Sequence, residues 1–293
     1  MKKKITGLSV LLVVYLLATL IGVFIFVGFK NLGFNDYLAV LIADAIATVF
    51  VWFMGVIFKT ASMYDPYWSL QTLIIYLALL IRNNNWNLGT ILLLSVLAIY
   101  SARLTANFII GFDSLSYVDW RYRMLKEKSG KLYPFVNLLG ICMFPTLVVY
   151  ACSLPVVVYA NIGMFSPLDT IGLSIILLGV LLEFVSDIQM KRFIKNRTSK
   201  NEVINIGLWK YSRHPNYLGE ILIWFGAALT LIIASFTYWY FIFGAVINLL
   251  MFLFISIPME EKHLKEYKEN YDEYLNKTSA LLILPNKKSK EQE

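Results

Sequence analysis

The polar groups able to do chemistry gather in one stretch, Gly207-Leu-Trp-Lys-Tyr-Ser-Arg-His-Pro-Asn-Tyr-Leu-Gly-Glu220, set between two long apolar runs. It holds one of only two histidines in 293 residues, and its Pro215 and Glu220 stand where an apolar run begins. With its neighbours it offers cations, amides, carboxylates and phenols: Lys191, Arg192, Arg213, His214, Asn216, Tyr217, Glu220, His263 and Tyr267. Such a set suits an anionic, aromatic ligand rich in hydrogen-bonding groups. Arginine and lysine neutralise phosphates, tyrosine stacks on rings, and asparagine and carboxylates read amide or ribose groups. A dinucleotide or adenosyl cofactor meets that description, its apolar counterpart being a lipid-soluble substrate from the bilayer. Protonating such a substrate needs an acid on the membrane side. Tyr100, with Arg103 three residues later on the same helix face, is the candidate pair, which Asp65 could complete.

Other chemistries find no foothold. Neither a Gly-x-Gly-x-x-Gly turn, a Walker loop, a Gly-x-Ser-x-Gly elbow nor a His-Glu-x-x-His helix occurs. The two histidines lie 49 residues apart and Cys142 and Cys152 share one apolar run, so no metal site and no disulfide framework is expected. A Ser-His hydrolase could recruit His214, but no flagged serine accompanies it.

The elements that must position these groups are membrane spans. The chain is 58% hydrophobic and 15% charged, with a mean hydropathy of +0.65, which places it in the integral membrane class. A span needs about 20 apolar residues to cross roughly 30 Å of hydrocarbon. Spans are predicted near 5–29, 38–58, 67–81, 88–110, 134–160, 168–190, 216–235 and 237–257, the third of them short. The expectation is therefore an all-α polytopic transmembrane bundle of about eight spans, with cytoplasmic cofactor-binding loops and a C-terminal tail helix. Residues 1–36 read as an extra N-terminal span, uncleaved, because the apolar run is too long for a signal segment. Residues 37–286 form the main membrane domain and 287–293 a disordered basic tail.

Charge supports the even count. Of 26 Lys and Arg, 23 fall on the side of the two termini, against Lys30 and Arg82 opposite, with Arg103 inside the fourth span. Since cytoplasmic loops accumulate basic residues, both termini and the Gly207–Glu220 segment are expected in the cytosol. The net charge of +7 is explained by that topology, and no nucleic-acid partner is expected. A charge in hydrocarbon costs about 2.5 kcal/mol or more and usually has a reason. Asp44 lies inside the second span; Arg103, Glu183, Asp187, Glu220 and Asp65 gather toward the cytoplasmic face, as a cavity open to the cytosol requires. Ion pairing of Arg103 with Asp187 or Glu183 is the structural alternative. Asp119-Trp-Arg-Tyr-Arg could form an interfacial helix against lipid headgroups. Beyond Pro258, Leu264, Tyr267, Tyr271 and Tyr274 recur at three and four and predict one aromatic stripe, able to bring His263 to the site. Leu281 to Pro285 is expected to rest at the membrane interface.

At these residues the sequence resembles the membrane reductase superfamily that includes steroid 5-alpha-reductases, in particular its bacterial DUF1295 branch. The matching pieces are Asp65-x-x-Trp68-Ser, Asp119-x-Arg121-Tyr122, Asp187 near the end of a span, Gly207 through Glu220, and the tail from Met259 through Glu260 to Tyr274 and Pro285. The resemblance implies a bacterial cell-membrane enzyme that reduces, with NADPH, a carbon-carbon double bond conjugated to a carbonyl in a lipophilic substrate. It implies Tyr100 and Asp65 as catalytic residues and Arg103 and Trp68 as substrate contacts. For the cofactor it implies Asn216 on the nicotinamide side, Glu220 in the same pocket, Asp187 on the adenine or ribose side, and His263 and Tyr267 from the tail. Lys191, Arg192, Arg213, His214 and Tyr217 complete that cofactor set. Asp65 before Pro66 stands in place of a Gln-Glu pair, which moves the expected substrate from a steroid to a generic enone or unsaturated lipid.

Two alternatives stay open. Isoprenylcysteine carboxyl methyltransferases are similar in this C-terminal half and use S-adenosylmethionine; methyl transfer needs no deep acid, so Tyr100 and Asp65 discriminate. A transporter or structural membrane protein would show midplane charges and internal repeats, and neither is seen.

Overall fold

Asn87 fixes the start of the helix that carries Tyr100: its side chain accepts from the backbone of Gly89 and Thr90, and the Thr90 hydroxyl accepts from the Asn87 amide. This reciprocal cap satisfies amides that would otherwise be left unpaired at a helix N-terminus. The computed structural model describes residues 2–286; the basic segment 287–293 lies outside them. The described chain is all-α. Helix α1 spans Lys2–Asn31, α2 Asp36–Ile57, α3 Tyr67–Asn83 and α4 Leu88–Gly111. Next come α5 at Trp120–Ser129, a short α6 at Tyr133–Val136 and α7 at Phe144–Ile162, then α8 at Asp169–Asn196 and α9 at Pro215–Ala234. Helices α10 (Phe243–Met251), α11 (Ile257–Lys265) and α12 (Tyr271–Lys277) close the chain.

Seven helical runs among the described residues are long and apolar enough to cross a membrane. Helix α3, with 17 residues, is the short member expected from the sequence, and it buries Tyr76, Leu79 and Leu80 in the bundle core. Large apolar side chains such as Leu12, Leu16, Leu20 and Phe24 on α1 point outward, as lipid contact demands. The chain is an integral membrane protein.

The closest helix pairing is α8 with α9. Gly172 and Gly179 on one helix, and Gly219 and Gly226 on the other, repeat at seven residues and face each other in antiparallel order. A Cβ on Gly179 would lie 2.6 Å from the carbonyl oxygen of Gly219, and one on Gly219 equally close to that of Gly179. With no hydrophobic drive between helices in lipid, such backbone proximity is what van der Waals association rewards.

The helix expected from Asp119-Trp-Arg-Tyr-Arg is present as α5; Gly130 (φ +52) caps its end, and helical structure resumes toward the fifth span with Pro134 in the first turn of α6, where no amide is needed. One expectation is corrected. The tail stripe is broken, since α11 ends at Lys265 and Asn270 takes a left-handed conformation (φ +54). Tyr271 and Tyr274 are consequently buried while Tyr267 is exposed. Leu281 to Pro285 is tied to the Gly207–Glu220 segment, with the Ser212 hydroxyl donating to the Leu281 carbonyl at 2.7 Å and the Leu284 amide to that of Tyr211 at 3.3 Å, while the side chains of Leu282, Ile283 and Leu284 stay exposed.

Candidate functional site

The glycine seam sets the register of the acids. Glu183 lies one turn beyond Gly179, and Glu220 follows Gly219, so the absent Cβ of Gly219 leaves room for the Glu183 side chain. The carboxyl groups of Glu183 and Glu220 come within hydrogen-bond reach of each other, both buried. Helix α4 closes the site from the other side. Its Tyr100, Arg103 and Asn107 recur at three and four and so share a face. Tyr100 donates to Glu220 Oε1 at 2.7 Å, and the indole of Trp224 donates to the same oxygen at 2.7 Å. The Tyr100 and Trp224 rings meet edge to face at 5.8 Å. Arg103 bridges the two acids of α8, with 2.5 Å to Glu183 and 2.8 Å to Asp187, and Asn107 adds a bond to Asp187 at 3.1 Å. The pairing of Arg103 with both acids is thus present.

Asp65 lies elsewhere. Tyr122 of α5 donates to its Oδ1 at 2.5 Å. Burial pushes the Asp65 carboxyl up to about 6, with nearby Asp119 adding to the rise and the Tyr122 bond and the Arg121 charge opposing it. The joint action of Tyr100 and Asp65 expected from sequence is therefore not formed as a contact: Asp65, just before α3, turns to α5, whereas Tyr100 turns to α9. Half-buried Trp68 packs against both apolar cores.

The conspicuous segment itself is held at both ends. Gly207 is left-handed (φ +56) and a Cβ there would strike Gln189, whose Oε1 accepts from the Leu208 amide at 2.9 Å. The Trp209 indole donates to the Ser186 carbonyl at 3.0 Å, which ties the segment to α8. Arg213 fastens the tail: its guanidinium pairs with Glu261 at 2.7 Å and donates to the carbonyls of Leu275 and Thr278. His214 approaches Glu261 at 3.2 Å and stacks on Tyr217, which packs on Phe252. Arg213, His214 and Tyr217, expected at the cofactor, are all engaged by protein partners. His263 stacks on Trp120 at 3.9 Å and meets Tyr267 edge-on at 5.3 Å. Lys191 and Arg192 are exposed on the last turns of α8. Glu260 sits in the field of Arg121, His214 and His263.

Asn216 stands apart from its neighbours. One turn before Glu220 on α9, it keeps a buried side-chain oxygen with no hydrogen-bond partner, and Arg103 Nε is likewise buried and unpartnered. Such groups cost about 1–3 kcal/mol each unless a ligand satisfies them. Together with the exposed cations Lys191 and Arg192, these donors and acceptors fit the chemistry of an adenosine-bearing, phosphate-bearing cofactor. Trp224, Asn107, Trp120 and Glu261 join the candidate residues; the first two are legible as residues four beyond Glu220 and Arg103, whereas Trp120 and Glu261 meet their partners only through the tertiary fold.

A family model described as a protein of unknown function, DUF1295, matches residues 51–278. The chain is 25% identical over 227 residues to an uncharacterized protein of Schizosaccharomyces pombe, covering 69% of this chain and 66% of that one. It is 29% identical over 150 residues to the 3-oxo-5-alpha-steroid 4-dehydrogenase 1 of Macaca fascicularis and to that of Homo sapiens, covering 50% of this chain and 54% of each relative. The match thus spans about half the length of these two dehydrogenases. No solved structure matches the chain.

Proposed function

The chain belongs to the DUF1295 family, and from that premise and the α4–α8–α9 geometry we propose that it is an NADPH-dependent membrane reductase. The substrate is a lipophilic molecule with a carbon-carbon double bond conjugated to a carbonyl. The likeness to two 3-oxo-5-alpha-steroid 4-dehydrogenases supports this chemistry. The observation that carries it is the buried Tyr100–Glu220 contact, with the unpartnered Asn216 one turn away on α9.

In this reading Asn216 holds the cofactor head and Lys191 and Arg192 its phosphates, with Asp187 reading the ribose. NADPH, when bound, supplies the hydride taken up by the alkene carbon remote from the carbonyl. Tyr100 turns its hydroxyl to the carbonyl oxygen and steadies the enolate that forms there. The enolate takes the Tyr100 phenol proton, which ends on the remaining alkene carbon when the enol tautomerises, and the phenolate recovers a proton shared by Glu183 and Glu220, which Arg103 and Trp224 keep in place and which the cytosol replaces. Tyr100 can leave Glu220 without stranding that carboxyl, because Trp224 still donates to it. Asp65 with Tyr122 lines the approach beside Trp68. Arg213 and His214 contribute by seating the tail. We place the protein in a bacterial cell membrane with both termini cytoplasmic, following the distribution of its basic residues.

Methyl transfer from S-adenosylmethionine needs no buried acid, which is why Tyr100 favours reduction. Isothermal titration of the purified chain tests the reading: NADPH is expected to bind much more tightly than S-adenosylmethionine, and the opposite order overturns it.

A further inference from the structure

A cavity of about 360 Å³ opens between α1, α2 and α3. Its size lies at the small end of the range for small-molecule pockets, about 300–1,000 Å³. The wall is mostly aliphatic, from Ala18, Val40, Ala47 and Leu79 among others, with Thr19 and Phe26 on it, the exposed Arg82, held by Asp36, also on its lining, and lipid-exposed Val23 and Ile81 at its edge. Amid these lies one buried polar cluster. Asp44, the acid inside α2, accepts from Tyr67 at 3.3 Å and from the Gln71 amide nitrogen. Gln71 is 3% exposed and its amide oxygen has no partner.

The amide can be placed either way round. With its nitrogen toward Asp44 an acceptor is left over; turned, Asp44 must donate to the oxygen and the nitrogen is left over as a donor. Either arrangement leaves one polar atom of Gln71 without a partner, and a hydroxyl, which both donates and accepts, satisfies either one. The cavity also lies apart from the Tyr100 site. Tyr67, Gln71, Ile74, Ile75 and Ala78 line it from α3, whereas Ser69 of the same helix reaches toward Thr105 of α4 and Thr72 bonds Ser153 of α7. Helix α1, which supplies one wall, lies outside the residues matched by the family model.

We propose that this cavity is a binding site for a lipophilic alcohol, whose chain enters from the bilayer beside α1 and whose hydroxyl is read by Gln71 and Asp44. The proposal stands whether or not the chain is a reductase.

The test uses the full chain in phosphatidylcholine nanodiscs and a diazirine-bearing long-chain alcohol, compared with the same chain ending in a methyl group. Peptide mapping is expected to find the alcohol crosslinked to α1, α2 or α3, at least about tenfold above the methyl-ended probe, the factor lost with one buried hydrogen bond. Gln71→Leu should abolish that preference. Gly22→Leu, whose added Cβ meets nothing closer than Ala47 at 3.8 Å, should fill the cavity and remove labelling by both probes. Because Gly22 bonds to none of the polar groups, this variant keeps the test decisive if Gln71→Leu misfolds. Equal labelling by the two probes would mean that the cavity holds an acyl tail only, and crosslinks unaffected by Gly22→Leu would place the alcohol elsewhere; either result overturns the proposal.

Discussion

Tyr100 and Glu220 meet across 2.7 Å although 120 residues separate them in the chain. The contact joins α4 to the helix that also carries Asn216, so one face of α9 holds both the Tyr100 partner and the unpartnered Asn216 amide oxygen. Tyr100→Phe keeps the ring against Trp224 and removes only the hydroxyl. Turnover should fall by about 10²-fold or more, with NADPH affinity unchanged by titration. Asn216→Ala should do the reverse, weakening NADPH roughly tenfold, as expected for a lost buried hydrogen bond. Equal loss of cofactor affinity in both variants would refute the division of roles.

The α8–α9 seam makes a prediction about stability. Gly219→Ala places a methyl against Glu183 and within 2.6 Å of the Gly179 carbonyl, and overpacking of this kind costs typically about 1–3 kcal/mol. A lower melting temperature in detergent is expected, together with loss of activity, because the same methyl displaces Glu183 from Glu220. Gly28→Ala, where an added Cβ meets nothing within 4 Å, should leave both unchanged. A Gly219→Ala chain as stable as the parent would show that the helices separate at no cost.

The membrane bundle and the short third helix could be read from hydropathy, since each span must satisfy its backbone internally and so leaves a long apolar run. Charges near span ends identified Arg103, Glu183 and Asp187 as a group, because isolated charges in lipid need partners. The partner of Tyr100 was not legible. It depends on the glycine register between α8 and α9, and a seven-residue glycine spacing gives no partner helix by itself. Likewise Arg213 and His214 looked like ligand groups because of their type, while their tertiary partners, Glu261 and the Leu275 and Thr278 carbonyls, lie on a tail whose docking no local pattern records. The tail stripe failed at Asn270, where one left-handed residue ends a periodicity that sequence alone would continue.

The tail clamp can be loosened selectively. Arg213 is bonded to Glu261, two carbonyls and, through its own amide, the Ser279 carbonyl. Arg213→Lys keeps the charge but lacks the fork that reaches several acceptors at once. Hydrogen exchange followed by mass spectrometry should show faster exchange in residues 275–286 for Arg213→Lys, and faster still for Arg213→Ala. Exchange in α4 should stay as it was. Unchanged exchange in the tail would mean that the Ser212–Leu281 contact and the backbone bonds from Leu284 to Tyr211 and from Arg213 to Ser279 hold it without the guanidinium.

Asp65 gives a dependence on pH whose sign can be worked out. Burial, the largest influence, brings its carboxyl up to about 6, above the ordinary value of about 3.9. The folded chain therefore binds this proton more tightly than the unfolded chain. The resulting stabilisation is complete below the ordinary carboxylate value and is lost as pH rises through about 6. Melting temperature in detergent should accordingly decline between about pH 4 and about pH 6 and level off above that, and Asp65→Asn should flatten that part of the curve. Tyr122 donates to Asp65 and opposes the rise. Tyr122→Phe should therefore shift the decline to higher pH. A shift toward lower pH in Tyr122→Phe, or an unchanged slope in Asp65→Asn, would assign the dependence to another group.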